Sequence, residues 1–270
     1  MLEYLYHYTT IDTFALILKT KKIRFNRLDH VDDLSECESM DGKHAGRTIF
    51  VSCWTNDEKE NIPLWKMYAG LDGVRIKLPV KWYKEYKLDG TRGKTERFFH
   101  EKLHMDITLP YSGPIKPIEL INNKFAIMPN FSSSVFPLKV EYTNDDSKLL
   151  PRTIFKNGGE VTVGLEEIGK YKSTYWEFQK EYRYMLHIMP IRSPETYGAS
   201  IHDVFPTDLN LSEYPISEYF IDISETALSN MEVVLGPKCT ESKRLILSAL
   251  LEKYAPNSSL GTSVLSGKIK

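Results

Sequence analysis

Cysteine is scarce in this chain of 270 residues, and the three present, Cys37, Cys53 and Cys239, are odd in number and far apart. Their spacing supports neither a disulfide framework nor a CxxC metal site. They read as small semi-apolar fillers of a reduced protein. A charge excess of either sign is also missing: 35 Lys and Arg stand against 36 Asp and Glu, a formal net charge of -1. Nothing in that balance draws the whole molecule onto nucleic acid or anionic lipid, although a local patch is compatible with it. No apolar run approaches the length of a membrane span. The start, Met1-Leu2-Glu3-Tyr4, has no basic stretch leading into an apolar one. A soluble, cytoplasmic protein with no membrane partner is expected. Two phosphate cradles are absent, the GxGxxG turn after the first strand and the GxxxxGK loop. So is the GxSxG elbow of serine hydrolases. The acidic residues Asp29, Asp32, Asp33, Glu36 and Glu38 lack the glycine and terminal glutamate of an EF-hand. They read as a solvated loop, and no metal site is expected.

What is present is a globular composition, 41% hydrophobic and 26% charged, in a chain long enough to bury a core without staples. Tyr4 to Tyr8 is a short aromatic strand. Thr9 with Asp12 resembles a capping box ahead of Ile11, Phe14, Ala15 and Leu18, a helical stripe closed by Lys19, Lys21 and Lys22. Ile23-Arg24-Phe25 is extended, and Thr48 to Trp54 is a strand. Pro63 opens a helix with Leu64, Trp65 and Tyr68, ended by Gly70 and Gly73. Val74 to Leu78 alternates as a half-buried strand. Residues 79–170 hold half of the prolines, and only Pro137 to Tyr142 stands out there as a strand. Tyr171 to Gln179 resembles a short helix, and Glu181 to Met189 is a strand. Ser217 to Ile223 and Glu232 to Leu235 are further strands. Thr240 caps an amphipathic helix to Tyr254, and the tail from Pro256 is strand-like or loose. Short strands, few helices and their non-alternating order predict an α+β fold. One domain over 1–270 is expected, with 79–170 as an elaboration inserted in the core.

Six residues carry candidate chemistry. Gln179 and Glu181 stand at the entrance of a hydrophobic strand, a rigid mount from which a carboxylate can point into a cleft. The competing reading is a solvated turn. His7 lies between Tyr6 and Tyr8 and faces away from both, because neighbours in a strand point to opposite faces. Alone, it is a half-buried, hydrogen-bonded histidine. Ser52 in a strand, and Trp65 and Tyr68 three apart on a helix, are each more often structural.

Their order is more specific. Tyr6-His7-Tyr8-Thr9, the acidic loop, Phe50 to Trp54, Leu64 to Ala69, Gly73 to Ile76, Lys172 to Arg183 with Trp176, Glu177 and Glu181, and Val234 to Lys238 together resemble a large bacterial family. It is known only as a domain of unknown function and is akin to the AbiGi-type abortive phage-resistance proteins. The resemblance covers nearly the whole chain apart from the middle insertion. It departs in the acidic loop, where members have Asn-Asp-Pro and this chain has Asp32-Asp33-Leu34.

That family in turn resembles the ADP-ribosyltransferases. The resemblance implies a split β-sheet core with flanking helices. It also implies NAD as the substrate, an unknown protein or nucleic-acid acceptor, and a setting in bacterial defence or as a toxin. Carried over by position, it implies that Glu181 stabilises an oxocarbenium and that Gln179 orients a target group or water. It further implies that His7 bonds a ribose, with Ser52 on the second strand, that Tyr68 or Trp65 stacks on nicotinamide, and that Arg24 or Arg27 pairs with the pyrophosphate. Two departures remain: one clear tyrosine in the helix where a pair is common, and the long insertion before Glu181. A non-catalytic sensor or antitoxin module on the same fold is the alternative. A nucleic-acid-handling toxin is a third reading, weakened by the balanced charge.

Overall fold

Alternating aromatic and β-branched residues build most of the strands in the computed structural model, which describes residues 2–41, 44–88, 111–120, 122, 124–128, 137–158, 160–191 and 214–270. Before the elaboration run β1 (Tyr4–Thr9), α1 (Ile11–Thr20), β2 (Lys22–Arg27), β3 (Ile49–Thr55), α2 (Ile62–Leu64) and β4 (Val74–Pro79). The elaboration contributes β5 (Tyr86–Leu88), β6 (Tyr111–Gly113), β7 (Phe125–Ile127), β8 (Leu138–Lys139), β9 (Glu141–Thr143), β10 (Ile154–Asn157) and β11 (Glu160–Val163). Parts of the expected elaboration, 89–110 and 129–136 among them, lie outside the described residues. The chain closes with β12 (Tyr171–Ser173), β13 (Glu181–Pro190), β14 (Glu218–Asp222), β15 (Glu232–Leu235), the helix Glu241–Tyr254 and β16 (Ser259–Thr262). A large mixed sheet with few helices makes this an α+β protein.

The main sheet runs β14-β2-β3-β1-β4-β15-β16, with β13 also paired to β3. One face carries a dense aromatic core. Trp54 and Trp82 stack with ring centres 6.0 Å apart, and Tyr184 meets Trp82 edge-on at 5.5 Å. Phe14 and Leu18 of α1, and Leu247 and Leu251 of the C-terminal helix, cover the same core.

The pairing of β3 is uneven, and that shapes everything above it. Along one edge β13 pairs continuously, from Glu181 opposite Thr55 to His187 opposite Ile49. Along the other edge β2 takes one end, with Asn26 opposite Val51 and Arg27 opposite Phe50. At the far end β1 contributes Tyr6 opposite Thr55. Among the described residues no ladder covers residues 52–54 on this edge, because β1 and β2 diverge there. A gap opens over the middle of β3.

Several local expectations shift. The cap of α1 is Thr10, whose side chain accepts from the Thr13 N–H, and not Thr9. Tyr171 to Gln179 is a strand followed by a 3-10 turn, Thr174–Gln179. The segment begun by Pro63 widens after one turn into a π-helical stretch, Trp65–Ala69, closed by Gly70 at φ 63°. The acidic loop holds two 3-10 turns, Leu28–His30 and Leu34–Cys37.

Gly73 ties three elements together. Its N–H donates to Ala69, its carbonyl accepts from Gly236, and a Cβ placed on it would lie 2.4 Å from the Thr9 carbonyl oxygen. The Ala69 carbonyl oxygen would lie 2.6 Å away as well, and these two backbone atoms cannot yield to a methyl group. Gly73→Ala is therefore expected to lower unfolding stability in urea by about 3 kcal/mol through overpacking. Gly261→Ala meets nothing nearer than 3.8 Å, and it is expected to stay within about 0.5 kcal/mol of the parent.

Candidate functional site

The gap over β3 is a cavity of about 580 Å³. His7, Arg24, Ser52, Tyr68, Gln179 and Glu181, separated by up to 174 positions, all contribute to its wall. The expected juxtaposition of His7 and Glu181 in one cleft is therefore present, but their strands, β1 and β13, belong to one ten-stranded sheet and not to two small sheets. Trp65 is the exception. Its ring is fully buried against Tyr8, edge-on at 4.9 Å, and its indole N–H donates to Glu60 at 2.9 Å. It supports the fold and is closed to a ligand. Arg27 is likewise committed, holding Asp29 through Nε and Nη2 at 2.5 and 2.9 Å.

His7 points into the gap and spends one nitrogen on the bare strand edge: Nδ1 lies 2.8 Å from the Cys53 carbonyl oxygen. A carbonyl only accepts, so Nδ1 carries the proton and Nε2 is left with a free lone pair. Burial pushes the imidazole pKa below its ordinary 6.5. The Cys53 carbonyl opposes that shift, and the nearby Arg24 adds to it. The ring therefore stays neutral, tilted over Trp54 with centres 5.0 Å apart. Ser52 is buried, and its hydroxyl oxygen accepts from the Trp54 indole at 2.9 Å.

The other end of the cavity is ionic. Glu181 is buried, contrary to the solvated-turn reading, and so is Glu36, contrary to the solvated-loop reading. Arg183 grips Glu181 through Nε and Nη2 at 2.6 and 3.1 Å, and its third nitrogen donates to the Gly169 carbonyl at 2.9 Å. Lys172 donates to Glu181 at 3.0 Å and to the Gln179 carbonyl oxygen at 2.8 Å. Glu36 closes the group by ion pairing with Lys172 at 3.1 Å and with Arg183. Two carboxylates and two cations thus neutralise one another away from water. Burial alone would raise the Glu181 pKa. Arg183 and Lys172 overcome that and hold it at about 2. The Cys53 thiol lies beside this carboxylate. It stays protonated, because burial and that carboxylate push its pKa well up.

From this group a chain of hydrogen bonds leads outward. Gln179 donates to the Tyr68 oxygen at 2.7 Å, and Tyr68 donates to Asp32 at 2.6 Å. Burial, reinforced by Asp32, drives the phenol pKa far up, so Tyr68 remains a donor at any working pH. Lys172, Arg183, Glu36 and Asp32 had no expected role. One signal did exist: Glu181 and Arg183 are two apart in an otherwise apolar strand, so they share a face, and charges buried there must pair. Among the described residues no group of His, Cys, Asp and Glu could hold a metal ion, and no helix is long and apolar enough to cross a membrane. No protein-family model, curated protein or solved structure matches the chain.

Removing one member of a buried ionic group strands the others. Glu181→Gln is expected to lower stability at neutral pH by about 3–5 kcal/mol, as for a broken buried pair, where a surface glutamate would change almost nothing. In the parent, a folded carboxyl ionising near 2 against an ordinary 4.5 gives stability that is complete above pH 4.5. That stability is lost as the pH falls from there toward 2. Urea unfolding across that range should show a steeper acid decline for the parent than for Glu181→Gln.

Proposed function

We propose that the chain is an NAD-consuming enzyme of the ADP-ribosyltransferase type, transferring ADP-ribose to a macromolecule or, when water accepts, hydrolysing NAD. The observation that carries this reading is the gathering of His7, Ser52, Tyr68, Gln179 and Glu181 around one cavity of about 580 Å³. That volume is in the range of ligand sites, roughly 300–1,000 Å³. Charge agrees as well. Glu36, Lys172, Glu181 and Arg183 cancel, which leaves Asp32, bonded to Tyr68, as the unbalanced charge at this end. A pyridinium cation suits that position, with the Tyr68 ring as its stacking surface.

In the reaction, the bond from ribose C1 to the nicotinamide nitrogen breaks, and its electron pair neutralises the pyridinium. The acceptor bonds to C1 and gives up a proton. Positive charge builds on the sugar as in glycoside cleavage, and Glu181 is the fixed carboxylate that faces it. The neutral Nε2 of His7 accepts from a ribose hydroxyl. Arg24, half-exposed and only loosely paired with Glu218 at 3.6 Å, is available to the pyrophosphate. Glu181 already receives Arg183 Nε, Arg183 Nη2 and Lys172 Nζ. A carboxylate has about four acceptor positions, so one is left for a ribose hydroxyl. The acceptor macromolecule and a role in phage defence or as a toxin follow from the resemblance alone.

The engagement of both Glu181 oxygens by Arg183 and Lys172 is what favours the second reading, a sensor or antitoxin module that binds the nucleotide without turnover.

Saturating NAD is expected to raise the melting temperature, and the protein is expected to release nicotinamide. His7→Ala should weaken NAD binding by about tenfold, the value of one lost hydrogen bond. Because the His7 pKa is lowered, affinity should hold level from pH 8 to 6.5 and fall only below that. Binding without nicotinamide release would identify the sensor. No thermal shift with NAD, against a clear shift with another nucleotide, would remove NAD from the assignment.

A further inference from the structure

The cavity extends beyond the polar end. Its wall also includes Leu16 of α1 and Arg24, Glu218 and Phe220 of the β2–β14 pair. Leu16 is 62% exposed and Phe220 41%, and neither joins any apolar cluster of the described residues. Exposed large apolar side chains are ordinary on a convex surface, but on the wall of a cavity they are surface waiting for a cover.

The register fixes what stands beside them. Phe220 lies directly opposite Arg24 in the β14–β2 ladder, and such a pair stands side by side on one face. Period-two alternation puts Lys22, Arg24 and Asn26 on that face together with Glu218 and Phe220, while Phe25 and Ile221 turn into the core. A flat ring, an aliphatic side chain, a guanidinium and an acceptor carboxylate thus line the cavity where α1 and the β2–β14 pair wall it. They match a planar heterocycle that carries an exocyclic amine and is linked to phosphate.

We infer that this part of the cavity is an adenine-nucleotide subsite. The purine lies between Phe220 and Leu16, its exocyclic amine donates to Glu218, and its phosphate pairs with Arg24. The inference rests on the proposed function and places the second half of the dinucleotide. Its observations are separate, since none of these residues belongs to the ionic group or to the Tyr68 chain.

The test uses ADP, which lacks nicotinamide, beside NAD and inosine diphosphate, which carries a carbonyl where adenine has its amine. Each is titrated calorimetrically into the parent, Phe220→Ala and Phe220→Tyr. The melting temperature confirms folding, which an exposed side chain should not disturb. ADP is expected to bind the parent and to prefer it over Phe220→Ala by about tenfold or more, the value of one base–aromatic stack. Phe220→Tyr should restore the affinity, and inosine diphosphate should bind more weakly than ADP. ADP binding without NAD binding would keep this subsite and overturn the transferase reading. Equal NAD affinity in the parent and Phe220→Ala would overturn the subsite and leave that reading standing. Equal affinity for ADP and inosine diphosphate would overturn the adenine assignment. A parent that binds neither ADP nor NAD would overturn both.

Discussion

The interaction on which the site depends is the four-membered ionic group of Glu36, Lys172, Glu181 and Arg183. Each of these side chains is at most 5% exposed. Taking any one ion out of water costs several kcal/mol, and only well-placed opposite charges offset that. Four ions that cancel as a set are tolerable where three are not, so the group forms whole or not at all. Its members come from the loop after β2, from β12 and from β13. A second apolar cluster, with Leu28, Val31 and Cys37 from the loop, Leu165 and Ile168 ahead of β12, and Met185 of β13, draws the same segments together. Apolar burial therefore brings the loop of residues 28–38 onto the sheet, and the ionic group pins its charged side chain Glu36 there, in the same stretch between Val31 and Cys37 from which Asp32 meets Tyr68.

The cavity has a different origin. It is a consequence of strand divergence: β3 is fully paired on one edge and bare in the middle of the other. A bare edge leaves backbone groups that must be satisfied, and the His7 imidazole satisfies one of them at Cys53. The same hydrogen bond fixes the tautomer and turns the other nitrogen toward the cavity. A structural need and a recognition feature are met by one contact.

Elements with strong periodicity were legible in the sequence: β1, α1, β3, β4, β13 and the C-terminal helix, along with the α+β class. The gathering of His7, Tyr68 and Glu181 was legible only through their order. What stayed hidden was non-local. Glu36 sits in an acidic stretch that reads as solvated, and its partners Lys172 and Arg183 lie more than 130 positions away, where no local pattern points back to it. Trp65 and Tyr68 misled for a geometric reason. Three residues apart on an α-helix they would share a face. The wider π turn changes that phase, sending Trp65 into the core and Tyr68 to the cavity. Tyr171 to Gln179 failed as one helix because Lys172 must extend along β9 to reach the carboxylates, after which the chain turns back sharply.

One strand carries both the ionic group and the attachment of the elaboration. At its start β13 presents Glu181 and Arg183, and at its end Ile188 to Pro190 pair with Phe125 to Ile127 of β7. A slip of one position along β3 would turn both charges to the opposite face. The β7 pairing lies seven residues from Glu181 and acts as an anchor against such a slip. Changes of length in the connections within residues 79–170 are therefore tolerable where loss of the docking strand is not. The same region also touches the ionic group, where the Gly169 carbonyl accepts from Arg183 and the Tyr142 hydroxyl accepts from the Glu181 N–H, so what looks like an addition to the sheet is part of the frame that holds its charges in phase.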